Sequence, residues 1–218
     1  MQKYNIISLG YVCNVFGYLN SDKTLHKNLK SSVFDRIASP MWAINELVSN
    51  DFEDFLKDDN IKHDQLFDKS DRKEHYDSRY YVRFLKTAKL DDIREIFNRK
   101  IEKLNQILNS DEPVLFVRCE EKHQLTKRGS RIIFDEYKDK YSKNELAYVK
   151  LFSNTLKNKY PSLNFKILFM GQSGDNFVDK EHGIVGIGYP ESEFCSRDGP
   201  RSVGRLLKEN RNFIDRNL

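Results

Sequence analysis

The stretch "NIISLGYVCNVFGYL" (residues 5–19) decides how the rest of the chain reads. It passes from an apolar, strand-like segment through Gly10 into a helix-like segment whose first turn holds Cys13. Three later runs repeat the strand character: "PVLFVR" (113–118), "FKILFM" (165–170) and "GIVGIGY" (183–189). With "YNIISL" (4–9) they make four near-continuous apolar runs. Runs of that kind suit a parallel sheet covered on both faces better than a half-exposed one, which would alternate.

Two long amphipathic stretches separate them. "LDDIREIFNRKIEKLNQIL" (90–108) puts Ile93, Ile96, Phe97, Ile101, Leu104 and Leu108 on one stripe. "KNELAYVKLFSNTLKNKY" (143–160) does the same with Leu146, Val149, Leu151, Phe152 and Leu156. Each precedes a strand, so the expected fold class is α/β: an open, mainly parallel sheet with helices on both faces. "SPMWAINELV" (39–48) starts another helix, with Ser39 as N-cap and Pro40 at the first helical position. Residues 51–88 are charged and aromatic, and "RYYVRFL" (79–85) fits strand or helix. Residues 20–88 are therefore expected to form a helical insertion, or cap, after the first βα unit. Residues 119–142, with "TKRGSR" (126–131), read as a long surface loop, and 200–218 as a closing helix. The chain, 1–218, is expected to be one domain.

Composition excludes several classes. With 39% hydrophobic residues, 15 Phe and 11 Tyr, the chain can bury a core and is not a disordered protein. The net charge of +4 is small and spread along the chain, which argues against nucleic acid or an anionic membrane surface as partner. The longest apolar runs are strand-length, short of the roughly 18 to 20 residues of a membrane span. No basic-then-apolar leader opens the sequence, so no signal peptide is expected. Three cysteines without CxxC spacing read as free thiols in a cytoplasmic protein. No HxxxH or HExxH occurs, so neither a metal site nor any other cofactor is expected. The oligomeric state is not legible.

Cys13 carries the chemistry, if any residue does. In an open α/β sheet, ligand sites form where strands end and helices begin. Unpaired N–H groups and the helix dipole stabilise an anion there, and the same field favours a thiolate. The competing reading is a small core residue, common for free cysteines. Cys119, at a strand end, and Cys195, in "ESEFCSRDG", read as structural or incidental. A thiolate nucleophile needs a base, and His26, His63, His75, His123 and His182 are the candidates.

"SLGYVCNVFGYL", then "SSVFDRIASPMWAINELVSNDFEDFL", "EHYD" and "VLFVR", resemble in their order a family labelled papain-like cysteine peptidases. That family's pattern is Ser-Leu-Gly-x-x-Cys, Pro-Phe-Asp-Trp, a His-centred segment, an amphipathic helix and a Phe-Val-Arg strand. Here Val33 and Arg36 stand where the pattern has proline and tryptophan. The resemblance implies Cys13 as nucleophile, His75 as base and Asp35 as orienter or substrate ligand. It also implies Ser8, Gly10, Asp77 and Arg118 as substrate-binding residues. The Gly-x-x-Cys turn is similar, more faintly, to that of polysaccharide-biosynthesis acyltransferases. A papain fold sets its cysteine on a long helix against a largely antiparallel barrel, whereas this sequence predicts parallel strands.

The expected function is cysteine-dependent acyl transfer on a small-molecule, peptide or glycan substrate, with hydrolysis of an amide or ester first and transfer to a glycan hydroxyl second. A metal-independent glycosyltransferase is the rival enzyme, since "GQSGDN" (171–176) and "GIGYPESE" (186–193) could approach a sugar phosphate near Arg118, Lys127, Arg128 and Arg131. No Asp-x-Asp accompanies them, and simple turns explain the glycines. A basic binding module using "TKRGSR" and "RDGPRSVGRLLKENR" (197–211) is the non-enzymatic alternative.

Overall fold

The computed structural model describes residues 3–10, 13–35, 37–63, 75–84, 90–120, 145–171, 174–189 and 200–218, with the backbone alone at Cys13, Asn14, Leu90 and 200–202. In chain order the first elements are β1 (Asn5–Ser8), α1 (Cys13–Ser21), β2 (Ile37–Ala38), α2 (Met41–Ser49), β3 (Ile61–His63), β4 (His75–Asp77), β5 (Val82–Phe84) and α3 (Leu90–Leu108). Then follow β6 (Val114–Cys119), α4 (Glu145–Lys159), β7 (Phe165–Gly171), β8 (Phe177–Asp179), β9 (Ile184–Gly188), α5 (Pro200–Glu209) and α6 (Arg211–Asn217).

The four apolar runs form the parallel part of one five-stranded sheet, in the order β1-β6-β7-β9-β8, with β8 antiparallel at the edge. Ile7 lies opposite Phe116, and Phe116 opposite Ile167. Alternate residues of each strand feed different cores. Ile7, Phe116, Ile167 and Phe169 join α2, α3 and α4 on one face. Ile6, Leu115, Leu168 and Val185 join α1, α5 and α6 on the other. Burial on both faces is why these strands are apolar throughout rather than alternating. Phe116 meets Phe152 edge-on at 5.4 Å, a geometry the aromatic quadrupole favours.

The long helices match their predicted spans closely. In α3, Ile93, Phe97, Leu104 and Leu108 are buried, and Asp91 and Asp92 sit in the first turn, where the helix dipole favours negative charge. In α4 the buried positions are Val149, Phe152, Ser153 and Leu156. Leu151, assigned above to the buried stripe, is 47% exposed. It lies 100° from Phe152 on the helix wheel, as 3.6 residues per turn requires. The inward place belongs to Ser153, whose hydroxyl donates to the His182 carbonyl at 2.8 Å. The C-terminal segment is two helices rather than one, separated at Asn210.

The insertion is richer in strand than the sequence suggests. Besides α2 it holds a second sheet, antiparallel, in the order β2-β5-β4-β3. Phe84 of this sheet packs on Phe55 and on Phe97 of α3, with ring centroids 6.0 and 5.2 Å apart. Helix α2 ends without glycine. Asp51 (φ 57°) takes the left-handed turn, and the Phe52 N–H donates to the Leu47 carbonyl at 2.9 Å. The Lys159 ammonium donates to the Val48 and Ser49 carbonyls at 2.8 and 3.1 Å, joining α4 to the negative end of α2. Among the described residues, no helix is long and apolar enough to cross a membrane.

The facing of α4 gives a direct test by urea denaturation. Phe152→Ala is expected to cost about 3–5 kcal/mol, whereas Leu151→Glu is expected to stay within about 0.5 kcal/mol of wild type. Equal costs would contradict the observed facing.

Candidate active site at the end of the first strand

The Leu9 N–H extends the ladder to the Val117 carbonyl at 2.9 Å, and the chain then turns at Gly10 with φ +71°. A Cβ at Gly10 would stand 3.0 Å from the Phe34 carbonyl oxygen and 3.4 Å from Ser39 Oγ, so both conformation and space require glycine. The Gly10 N–H donates to Ser8 Oγ at 3.2 Å. Cys13 is the first residue of α1, as its placement in the first turn predicts, and that turn carries no acidic residue. The Cys13 backbone thus stands at the N-terminus of α1, at the carboxyl edge of the parallel strands. Helix N–H groups that lack intrahelical partners lie there.

Arg118 is fully buried on the α2–α4 face. Its Nη1 donates to the Leu9 carbonyl at 2.9 Å and its Nη2 to the Ser39 carbonyl at 3.1 Å. Its Nε reaches Glu145 Oε1 at 3.1 Å, and Nη2 contacts the same oxygen. One guanidinium thereby fastens the end of β1, the approach to α2 and the start of α4. Burial pushes the Glu145 pKa up, while Arg118 and the Met41 N–H act in the opposite sense. That N–H belongs to the first residue of α2, where Ser39 was expected to be the N-cap. Helix α2 begins at Met41 with Pro40 in the N-cap position and no side-chain cap. Ser39 Oγ and Glu145 Oε2 are both buried without a hydrogen-bond partner among the described residues.

Asp35 forms a second buried polar centre, 2% exposed. Its Oδ2 accepts from the Ser32 N–H at 2.8 Å and from Ser31 Oγ at 3.1 Å, and its Oδ1 from Ser32 Oγ at 3.3 Å. Lys100 Nζ of α3 lies 4.0 Å away. Ser32 Oγ is also 3.3 Å from the Ser8 carbonyl oxygen, which links Asp35 to the strand end. Burial raises the Asp35 pKa from 3.8 to about 6 against the opposing pull of the Ser32 N–H, Lys100 and the two hydroxyls.

Ser8, Gly10, Asp35 and Arg118 thus gather around the end of β1. His75 lies farther out. It is on β4, stacked on His63 with centroids 5.4 Å apart, and shares a row with Phe84 and Ile37 across the second sheet. At about 4.8 Å per strand spacing, His75 is about 10 Å from Ile37 between Cα atoms. The Ile37 carbonyl oxygen is itself 3.6 Å from a Cβ built on Gly10. The Asp35 carboxylate is held by Ser31, Ser32 and Lys100, without a bond to His75. Asp77 closes a turn: Oδ2 accepts from the Leu56 N–H at 3.2 Å, and Oδ1 from those of Arg79 and Tyr80 at 3.0 and 3.1 Å. Sequence reading missed Glu145, Ser32, Ser39 and Lys100. The serines flanking Asp35 in "SSVFDRIAS" were the available signal, since hydroxyls beside an aspartate make local turns.

Among the glycines of the rival reading, Gly188 leaves space that the Asp175 backbone occupies, so it serves a close approach of the protein's own chain. The basic stretch 126–131, His123 and Cys195 lie outside the described residues. Cys119 is buried and in no disulfide among the described residues, with its Sγ 3.7 Å from the Glu120 carbonyl oxygen. A metal could be offered ligand atoms by Asp179, Glu181 and His182, all within 4.8 Å of one another. Asp179 is already taken by Lys150 at 2.9 Å and His182 Nδ1 at 3.0 Å, which hold its pKa below the usual carboxylate range despite the cost of burial.

Fold and site together define an α/β protein with a cysteine at a strand-to-helix turn. Residues 4–174 match the family described as "Putative papain-like cysteine peptidase (DUF1796)", and the chain belongs to that family. No curated protein and no solved structure matches it. The architecture differs from that of papain: α1 spans nine residues, and the strand before it pairs in parallel.

Two predictions follow from the buried groups. The folded chain holds the Asp35 proton up to about pH 6, whereas the unfolded chain releases it near 3.8. The Asp35 contribution to stability is therefore greatest below the lower value and falls as pH rises through the higher one, by roughly 3 kcal/mol in all. Asp35→Asn is expected to flatten that part of the curve in denaturant titrations across the range, and a constant difference from wild type would contradict it. Arg118→Ala is expected to cost about 3–5 kcal/mol by stranding Glu145, while Arg118→Met with Glu145→Leu regains most of it. Additive losses in that cycle would show that the two side chains do not act as a pair.

Proposed function

We propose that the protein is a cysteine-dependent acyl-transfer enzyme that hydrolyses an amide or ester. The observation that carries this reading is the position of Cys13 at the first residue of α1, on the carboxyl edge of the parallel sheet. A helix start favours thiolate over thiol and offers N–H donors to the oxyanion of a tetrahedral intermediate. Family membership agrees with cysteine hydrolase chemistry.

In this mechanism the Cys13 thiolate attacks the carbonyl carbon, forming a C–S bond and an oxyanion. Collapse breaks the bond to the leaving amine or alcohol, which takes a proton from His75. Water then attacks the thioester, gives its proton to His75, and releases the carboxylic acid and the thiolate. Asp35 steadies the Gly10 turn through Ser32 or meets the substrate, and Ser8, Gly10, Asp77 and Arg118 shape the binding surface. Substrates are small acyl compounds, peptides or acylated glycans. An odd, small number of cysteines without CxxC spacing supports a cytoplasmic location for the reaction.

The test is turnover of p-nitrophenyl acetate with mass spectrometry of the Cys13 peptide. Wild type is expected to carry an acetyl group on Cys13, and His75→Ala to lose about a hundredfold in rate. Cys13→Ala is expected to fall to background. An unchanged rate in Cys13→Ala would overturn the reading.

A further inference from the structure

We propose that the open cleft between the C-terminal half of α3 and the segment 29–31 is a binding site for a small organic anion. The cleft encloses about 480 Å3, within the range of roughly 300 to 1,000 Å3 seen for small-molecule sites. It lies at the start of β1, beside Asn5, at the opposite end of that strand from Cys13. The site is therefore independent of the acyl-transfer reading.

Its walls are built by regular structure. Lys103, Gln106 and Ile107 recur at the three- and four-residue spacing that shares one side of α3, and Ser110 follows just past its end. The facing wall, Leu29 to Ser31, is pinned to the edge of β1 by the Lys30 N–H, which donates to the Ile6 carbonyl at 2.9 Å. The charges in the cleft are unequally committed. The Asn5 side-chain amide donates to Glu112, which occupies the carboxylate of the lining. Lys30 and Lys103 have no carboxylate partner among the described residues, and Gln106 has no hydrogen bond there. Lys100, one turn earlier on α3, is by contrast directed to Asp35 at 4.0 Å.

Two uncommitted ammonium groups, one amide donor and the apolar sides of Leu29 and Ile107 fit an oxyanion carried on a short apolar body. The end of α3 contributes a negative dipole equivalent to about half a charge, which fades within the last turn. Lys30 and Lys103 against the Glu112 carboxylate leave one net positive charge in the lining, which outweighs it. Ser31 belongs to both places, since it lines the cleft and donates to Asp35 Oδ2 at 3.1 Å. Carboxylates and phosphate esters share the required chemistry.

The experiment is a 1H–15N NMR titration of the full chain with butyrate and, separately, butyl phosphate, at constant ionic strength set by sodium chloride. Saturable shifts confined to residues 29–31 and 103–112 with either probe are expected, and the probe that binds identifies the head group. The Lys30→Gln/Lys103→Gln variant, with its spectrum otherwise unchanged, is expected to bind at least about tenfold more weakly. The site would be overturned by no saturable shift with either probe, or by equal affinity in the variant. Saturation of the same residues by chloride alone would do so as well. None of these readouts involves Cys13, so their failure leaves the acyl-transfer reading where it stands.

Discussion

A guanidinium with no access to solvent sits at the carboxyl end of the central strands, and much of the surrounding structure answers its needs. Burying Arg118 costs several kcal/mol in lost hydration unless its donors are filled. Glu145 neutralises it, and the Leu9 and Ser39 carbonyls take further donors. Those four residues come from four separate stretches of chain. Satisfying one charge therefore fixes where β1 stops, where α2 begins and where α4 enters. The turn leading to Cys13 inherits its position from that junction.

The second constraint is lack of room. The Phe34 carbonyl and the Ser39 hydroxyl lie so close to Gly10 that a Cβ there would be tightly crowded, at a φ that favours glycine in any case. Asp35 and its two serines hold this approach in place on the other side, with Ser32 touching the Ser8 carbonyl. The insertion is thus bound to the first βα turn by polar contacts, and to α3 by the packing of Phe55 and Phe84 on Phe97. A carboxylate kept partly protonated near pH 6 and a buried ion pair flank the same turn.

How far the sequence reveals this depends on the length of each signal. The core strands and α3 were legible because four to seven apolar residues in a row, or a stripe sustained over five turns, leave little choice. Strands β2 to β5 are two or three residues long, too short for a period of two to register, and their pairing rests on aromatic packing against α3. Leu151 was assigned inward because it adjoins Phe152, while Ser153 reads as polar until its partner at His182 is known. Arg118 and Asp35 were recognisable as site-edge residues, but their roles are not local. Arg118 depends on Leu9, 109 residues away, and on Glu145, 27 away. His75 was placed by resemblance alone, and its row in the second sheet follows from strand pairing that no short motif encodes.

The central claim is that the turn exists to hold a reactive thiolate. The most direct measurement is the pH dependence of iodoacetamide alkylation at Cys13, followed by mass spectrometry with Cys119 as internal reference, in wild type and His75→Ala. The account predicts that Cys13 reacts with a midpoint well below the ordinary thiol value of about 8.5, that loss of His75 moves it, and that buried Cys119 stays inert. A Cys13 that titrates as an ordinary thiol, or that does not react until the protein unfolds, would make it a packing residue and contradict the account.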